Sequence, residues 1–191
     1  MIYMFDDKIL FFDFDGCIAD SERCHLQASI EAVKELGITI DITPYFGIGL
    51  SDKKIYKQIE KDFNVVLPCD DIVALKAKKF EMLSSQIDIF PQMKDLIFDL
   101  PNTKFIITNS QTHFVENCLM RWKMEHCFNE IISLYYLFIS KADMIIKLGY
   151  NPLDCVLFDD AILIVEEALD KNINGVLVKN GIWKILRKDS Y

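Results

Sequence analysis

The chain has 191 residues, 51% hydrophobic and 26% charged, enough apolar surface for one sizeable core and no signature of disorder. Its formal net charge of -8, from 29 acidic against 21 basic residues, argues against nucleic acid as a partner. The longest apolar runs, Leu134 to Ile139 and Ala161 to Val165, are too short for a membrane span, and Met1 to Phe5 gives way at once to Asp6-Asp7-Lys8, unlike a signal peptide. The six cysteines (Cys17, Cys24, Cys69, Cys118, Cys127, Cys155) form no C-x-x-C pair, so reduced thiols in a cytoplasmic protein are expected, with no zinc site or redox dithiol.

Ile9 to Phe12 reads as a buried strand that delivers Asp13-Phe14-Asp15-Gly16 at its carboxyl end. Residues 18 to 87 contain no convincing buried strand and read as amphipathic helices. Leu26, Ile30, Val33 and Leu36 mark one, closed by Gly37, and Ile55, Ile59 and Phe63 mark another; Pro44, Gly47, Gly49 and Pro68 supply turns. The strand rhythm then resumes. Lys104 to Ile107 ends in Thr108-Asn109-Ser110, Glu130 to Leu134 is a shorter strand, Cys155 to Phe158 ends in Asp159-Asp160, and Gly175 to Val178 ends in Lys179-Asn180-Gly181. Helical faces lie between them, Val115, Leu119 and Trp122 in one and Ile145, Ile146 and Leu148 in another. The expectation is an α/β fold, a Rossmann-like doubly wound parallel sheet built from residues 1–17 and 88–191, with 18–87 as an inserted helical domain. In such a sheet the ligand site lies beyond the carboxyl ends of the strands.

Asp13 and Asp15, in alternate positions after a buried strand, can both face one site while Phe14 turns into the core and Gly16 lets the chain turn away. A D-x-D-G string alone is also a common surface turn; its position on the first strand, with Asp159-Asp160 ending a later one, gives it meaning. Four carboxylates gathered at one sheet edge repel one another unless a cation joins them. A hard divalent ion with oxygen ligands, Mg²⁺ above all, resolves that conflict and lets an acidic site accept an anionic phosphate.

With these motifs in order along nearly the whole chain, the sequence resembles the haloacid dehalogenase superfamily, in the branch of the phosphoglycolate phosphatases and β-phosphoglucomutase. The resembling segments are Asp13-Phe14-Asp15-Gly16-Cys17-Ile18-Ala19-Asp20-Ser21, Ile106-Ile107-Thr108-Asn109-Ser110 and Leu157-Phe158-Asp159-Asp160. The resemblance implies an Mg²⁺-dependent phosphatase in which Asp13 attacks phosphorus to form an aspartyl phosphate and Asp15 is the general acid and base. Asp15 then has to hold a proton near neutral pH while Asp13 stays ionised, so their environments must differ. Mg²⁺ is expected on the Asp13 carboxylate, the Asp15 backbone carbonyl and Asp160, with Asp159 as a further or water-mediated ligand.

Thr108 and the backbone of Asn109 are expected to bind the phosphoryl oxygens, although Asn109 and Ser110 also suit a helix N-cap. The family's lysine is usually followed by proline, and no Lys-Pro occurs here. Lys141, behind Ser140 and ahead of Asp143, is the best candidate, and Lys147 is the fallback. Ala161-Ile162-Leu163-Ile164 stands where many relatives carry small polar and acidic residues; these apolar side chains suit either packing of the following helix or an interface.

The resemblance also implies that the insert is a cap carrying substrate contacts, with His25 and Ser51 as candidates; His113 and His126 read as structural. Ile48 and Asp52 stand where sugar-phosphate mutases tend to carry basic residues, which leans the reading toward hydrolysis. The expected partner is a small phosphorylated metabolite. The alternatives are a phosphosugar mutase and a catalytically silent binding protein; Asp15 argues against dehalogenation, and no nucleotide-binding glycine loop is present.

Overall fold

Ile9–Phe12 forms the first strand, β1, of a computed structural model that describes residues 5–46 and 52–186. Four further strands run parallel to it or to its neighbours: β2 (Lys104–Thr108), β3 (Glu130–Ser133), β4 (Cys155–Asp159) and β5 (Asn174–Lys179). A sixth, β6 (Ile182–Leu186), pairs antiparallel with β5, giving the order β3-β2-β1-β4-β5-β6. β1, β2 and β3 are laid down in one direction, and the chain then crosses back to place β4 on the other side of β1. This reversal puts a switch point between β1 and β4, and at such a point the flanking connections part and leave a crevice at the carboxyl edge.

Both faces of the central strands are covered, which is why β1, β2 and β4 are almost uninterruptedly apolar. Phe11, Phe105, Ile107 and Leu157 pack on one face with Met144, Ile145 and Ala168. On the other, Phe12 stacks on Phe158 with ring centroids 4.4 Å apart. The helices of this unit are α4 (Pro91–Asp99), α5 (Thr112–Trp122), α6 (Lys141–Lys147) and α7 (Ile162–Asp170). In α5, Val115 and Leu119 are buried. In α6 the inward face differs from the expected one: Ala142, Met144 and Ile145 are buried with Lys141, whereas Ile146 and Leu148 are exposed. A seven-residue helix turns through barely two turns, so the side chain at its first position fixes which face is inward.

β6 lies beyond the expected end of the sheet. Lys179 and Ile182 pair across Asn180 and Gly181, whose φ angles of 49° and 75° are those of a tight hairpin turn. Asn-Gly between apolar runs is the strongest short hairpin signal, so the cue for this antiparallel edge strand was present in the sequence.

The chain divides into two compact units, Met1–Asp20 with Asp88–Tyr191, and Ser21–Ile87. The first crossing falls after Asp20 rather than after Cys17. Ile18 and Ala19 are fully buried, Ile18 O accepts from the Phe90 N–H at 3.0 Å, and the Asp20 N–H donates to Asp88 O at 2.8 Å, so these residues stay with the sheet.

The second unit is helical: α1 (Glu22–Glu35), α2 (Asp52–Phe63) and α3 (Cys69–Leu83). Its core gathers Ala32, Val33, Ile42, Ile55, Tyr56, Ile59, Leu67 and Ile72. The buried stripe of α1 is Cys24, Ala28, Ser29, Ala32 and Val33, and Ile30 and Leu36 are exposed, contrary to the expected face. Small residues let α3 approach α1 closely, which a stripe of Leu and Ile would prevent. Gly37, at φ +72°, does end α1.

Gly175 in β5 lies against α7, where an added Cβ would come within 2.6 Å of Val165 Cγ1 and 3.3 Å of the Val165 carbonyl oxygen. Gly175→Val is therefore expected to destabilise the fold by about 1–3 kcal/mol through overpacking, read as a lower urea midpoint.

Candidate active site

Asp13 directly follows β1, and its N–H donates to Phe158 O at 2.8 Å, holding it in line with β4. The pairing of Phe12 with Phe158 sets Asp13 beside Asp159. Phe14 turns inward, fully buried, and stacks on Trp122 at 5.8 Å. Its carbonyl accepts from the Ile18 and Ala19 N–H groups, both at 2.9 Å, which folds residues 14–19 into a tight loop. Gly16 has φ +71°, and a Cβ there would lie 2.5 Å from Asp160 Oδ2. Glycine is thus needed both for the turn and for the Asp160 carboxylate to lie against the backbone.

Lys141 opens α6, whose cap is built by Ser140: its Oγ accepts from the Asp143 N–H at 3.1 Å. The Lys141 ammonium is buried, 2.7 Å from Asp13 Oδ1 and 2.7 Å from Asp159 Oδ2. Asp13 Oδ1 also accepts from the Phe14 N–H at 2.8 Å, and Asp159 Oδ1 accepts from the Ala161 N–H at 2.9 Å. Asp159 is therefore engaged through both oxygens inside the protein. Lys147 is exposed.

Asp13, Asp159 and Asp160 bring carboxylate oxygens within 4.8 Å of one another. Three carboxylates against one ammonium leave two negative charges in a largely buried place, and the donors are all hard oxygens. A divalent oxygen-seeking cation fits that set in charge and chemistry. Burial pushes the Asp13 carboxyl well above the usual carboxylate range; Lys141 opposes this, and Asp159 and Asp160 add to it. Burial disfavours the Lys141 charge, but Asp13 and Asp159 outweigh burial and hold the ammonium above its ordinary pKa. Positive charge beyond that of Lys141 would favour the ionised form of Asp13.

The Asp15 side chain takes another direction. Ser110 Oγ donates to Asp15 Oδ2, and Ser133 Oγ donates to the Ser110 carbonyl at 2.6 Å. The Ser110 N–H donates to Thr108 Oγ1 at 3.0 Å, leaving the buried Thr108 hydroxyl its own proton to give. Asn109 is exposed at the same strand tip. Ser110 and Ser133 were not expected to touch the site; their signal was position, since Thr108 pairs with Ser133 and both strands end there.

The remaining expectations separate. Ile164 packs against the core, as helix packing requires, while Ile162 and Leu163 are exposed. His25 stacks on Phe80 within the helical unit, with centroids 4.0 Å apart. Ser51, with Gly47 to Leu50, lies outside the described residues. His113 and His126 are exposed, and all six cysteines are unbonded to one another. Among the described residues no helix is long and apolar enough to cross a membrane.

The model of the family described as haloacid dehalogenase-like hydrolase matches residues 10–178. No curated protein matches the sequence. Among solved structures, a putative phosphoglycolate phosphatase from Lactobacillus plantarum is similar with a TM-score of 0.74 at 16% identity, over 91% of this chain and 87% of that one. CbbY from Rhodobacter sphaeroides, solved in complex with phosphate, gives 0.71 at 19% identity over 90% and 86%. A haloacid dehalogenase-like protein of unknown function from Agrobacterium tumefaciens gives 0.71 at 22% identity over 88% and 81%.

Two outcomes are expected from the charge cluster. Because the folded pKa of Asp13 is raised, the folded chain keeps a proton that the unfolded chain has released, so stability is lost as pH rises above the ordinary carboxylate value of 3.8 toward the raised one. Thermal unfolding of the metal-free protein should show a falling midpoint over that window, and a divalent cation bound to the cluster should offset the fall. Lys141→Met leaves Asp13 and Asp159 buried without their cation and should cost about 3–5 kcal/mol in urea unfolding at pH 8, and less at pH 5, where the carboxylates take up protons.

Proposed function

The chain belongs to the haloacid dehalogenase-like hydrolases, and on that premise we propose that it is an Mg²⁺-dependent phosphatase acting on a small phosphate monoester. The observation that carries this reading is the buried Lys141 held between Asp13 and Asp159, with Asp160 alongside. It is a charge arrangement organised around one carboxylate, as nucleophilic catalysis requires.

Asp13 attacks phosphorus in line, forming an aspartyl phosphate as the ester P–O bond breaks. Asp15 gives its proton to the departing alkoxide and then takes one from the water that attacks the aspartyl phosphate, releasing inorganic phosphate and restoring both acids. Ser110 fixes the Asp15 carboxyl through the hydrogen bond to Oδ2, and Ser133 fixes Ser110 in turn. The Thr108 hydroxyl and the Asn109 backbone donate to the phosphoryl oxygens, where negative charge builds up. Lys141 neutralises Asp13 and the incoming ester, and Asp159 holds that ammonium in place. The cation would be held by the Asp13 and Asp160 carboxylates and the Asp15 carbonyl, and it supplies the positive charge that lets an acidic site accept an anion.

The missing Lys-Pro makes a silent binding protein conceivable. Lys141, buried at 2.7 Å from Asp13, supports the catalytic reading instead. The phosphate bound to CbbY supports the same ligand chemistry here.

The test is release of phosphate from p-nitrophenyl phosphate and a panel of phosphate esters, with Mg²⁺ and with a chelator. Release should need the metal, fall to background in Asp13→Asn, and drop in kcat by about 10²–10⁴-fold in Asp15→Asn. Equal release by wild type and Asp13→Asn would overturn the assignment.

A further inference from the structure

The connection from β3 to α6 exposes four consecutive large apolar side chains, Tyr135, Tyr136, Leu137 and Phe138, with Tyr136 at 83% and Phe138 wholly exposed. Such a run is rare on a folded surface unless something covers it. The turn is fixed by its surroundings. The Leu134 N–H donates to Thr108 O at 2.7 Å, the Tyr135 N–H to Ser133 Oγ at 3.3 Å, and the Leu137 N–H to Leu134 O at 2.8 Å. Tyr135 and Tyr136 meet edge to face at 4.6 Å.

Both anchors of the turn are residues of the site. Ser133 is one hydrogen bond from Ser110, which holds Asp15, and Lys141 follows Ser140 directly onto Asp13. Across the sheet, the residues after β4 repeat the pattern: Asp159 and Asp160 face the site, and Ile162 and Leu163 are exposed just beyond. In the strand order the tips of β2 and β1, carrying Thr108 and Asp13, lie between these two apolar groups. No charged residue occurs from Leu134 to Ile139 or from Ala161 to Val165, and the tyrosine hydroxyls are the sole polar side-chain groups there. A polyhydroxylated sugar would find few partners in such surroundings, whereas an apolar group would exchange water for apolar and aromatic surface.

We propose that Tyr135–Phe138 and Ile162–Leu163 hold the organic part of the substrate, so that the chain takes the phosphate monoester of an aliphatic or aromatic alcohol. The inference rests on the site's binding a phosphoryl group, and it selects the substrate class.

The test uses methyl-, hexyl- and phenylphosphonate, which present the phosphoryl group without a cleavable ester, titrated calorimetrically into the full chain with Mg²⁺. Hexyl- or phenylphosphonate should bind about tenfold or more tightly than methylphosphonate. In the double variant Tyr136→Ser, Phe138→Ser, whose folding is checked by its thermal midpoint, that ratio should collapse toward one. Equal affinities in the wild type, or a ratio unchanged in the variant, would overturn the proposal. So would equal affinities together with a dimer that dissociates in the variant, which would assign the patch to a second copy of the chain. Loop-dependent preference without hydrolysis of any ester would support this inference while removing the phosphatase reading. Hydrolysis without preference would do the reverse.

Discussion

The contact on which the site depends is the ammonium of Lys141 set between Asp13 and Asp159. Burying a charge costs several kcal/mol unless partners replace the lost water, and here each partner is itself tied to the sheet. Asp13 is held by the ladder bond to Phe158 and by the Phe14 N–H; Asp159 is held by the Ala161 N–H. The lysine therefore joins the tips of β1 and β4, the two strands that flank the switch point of the topology, to the start of α6. A misplaced helix would strand three buried charges, so the fold and the site constrain one another.

The cluster remains negative even with the lysine in place. That residual charge would be a liability in a purely structural ion pair, where neutrality is the stable outcome. It becomes intelligible if a divalent cation offsets it, since carboxylates gathered this closely repel one another without one. The Asp15 carboxyl accepts from the Ser110 hydroxyl, whereas Asp13 faces the Lys141 ammonium, so the two acids of the first strand tip have different surroundings.

Much of this was legible in the sequence. The apolar runs ending in Asp13, Thr108 and Asp159 identify strands because strands buried on both faces have no polar side to display, and the polar residues begin where the strand leaves the sheet. Ser140 and Asp143 around Lys141 mark a helix start through capping chemistry that needs only local contacts. Less legible were faces and ends. The buried stripe of α1 runs through Ala28, Ser29 and Ala32 rather than Leu36, because closeness to α3 selects small side chains over large ones. The Asn180-Gly181 turn carried its cue, but only pairing with β5 makes the strand that follows.

What the sequence determined by itself was the succession of the main strands and helices along the chain and the identity of the acidic pairs, since these follow from periodicity, turn chemistry and motif spacing; the family followed from the resemblance of those motifs. What only the tertiary structure decided was which residues meet: that Lys141 reaches both Asp13 and Asp159, that Ser110 takes Asp15, and that Asp160 rests against Gly16. Lys141 and Asp13 are far apart in sequence, and no local rule measures that separation. Their meeting is fixed by strand order and register, which depend on the packing of the whole sheet.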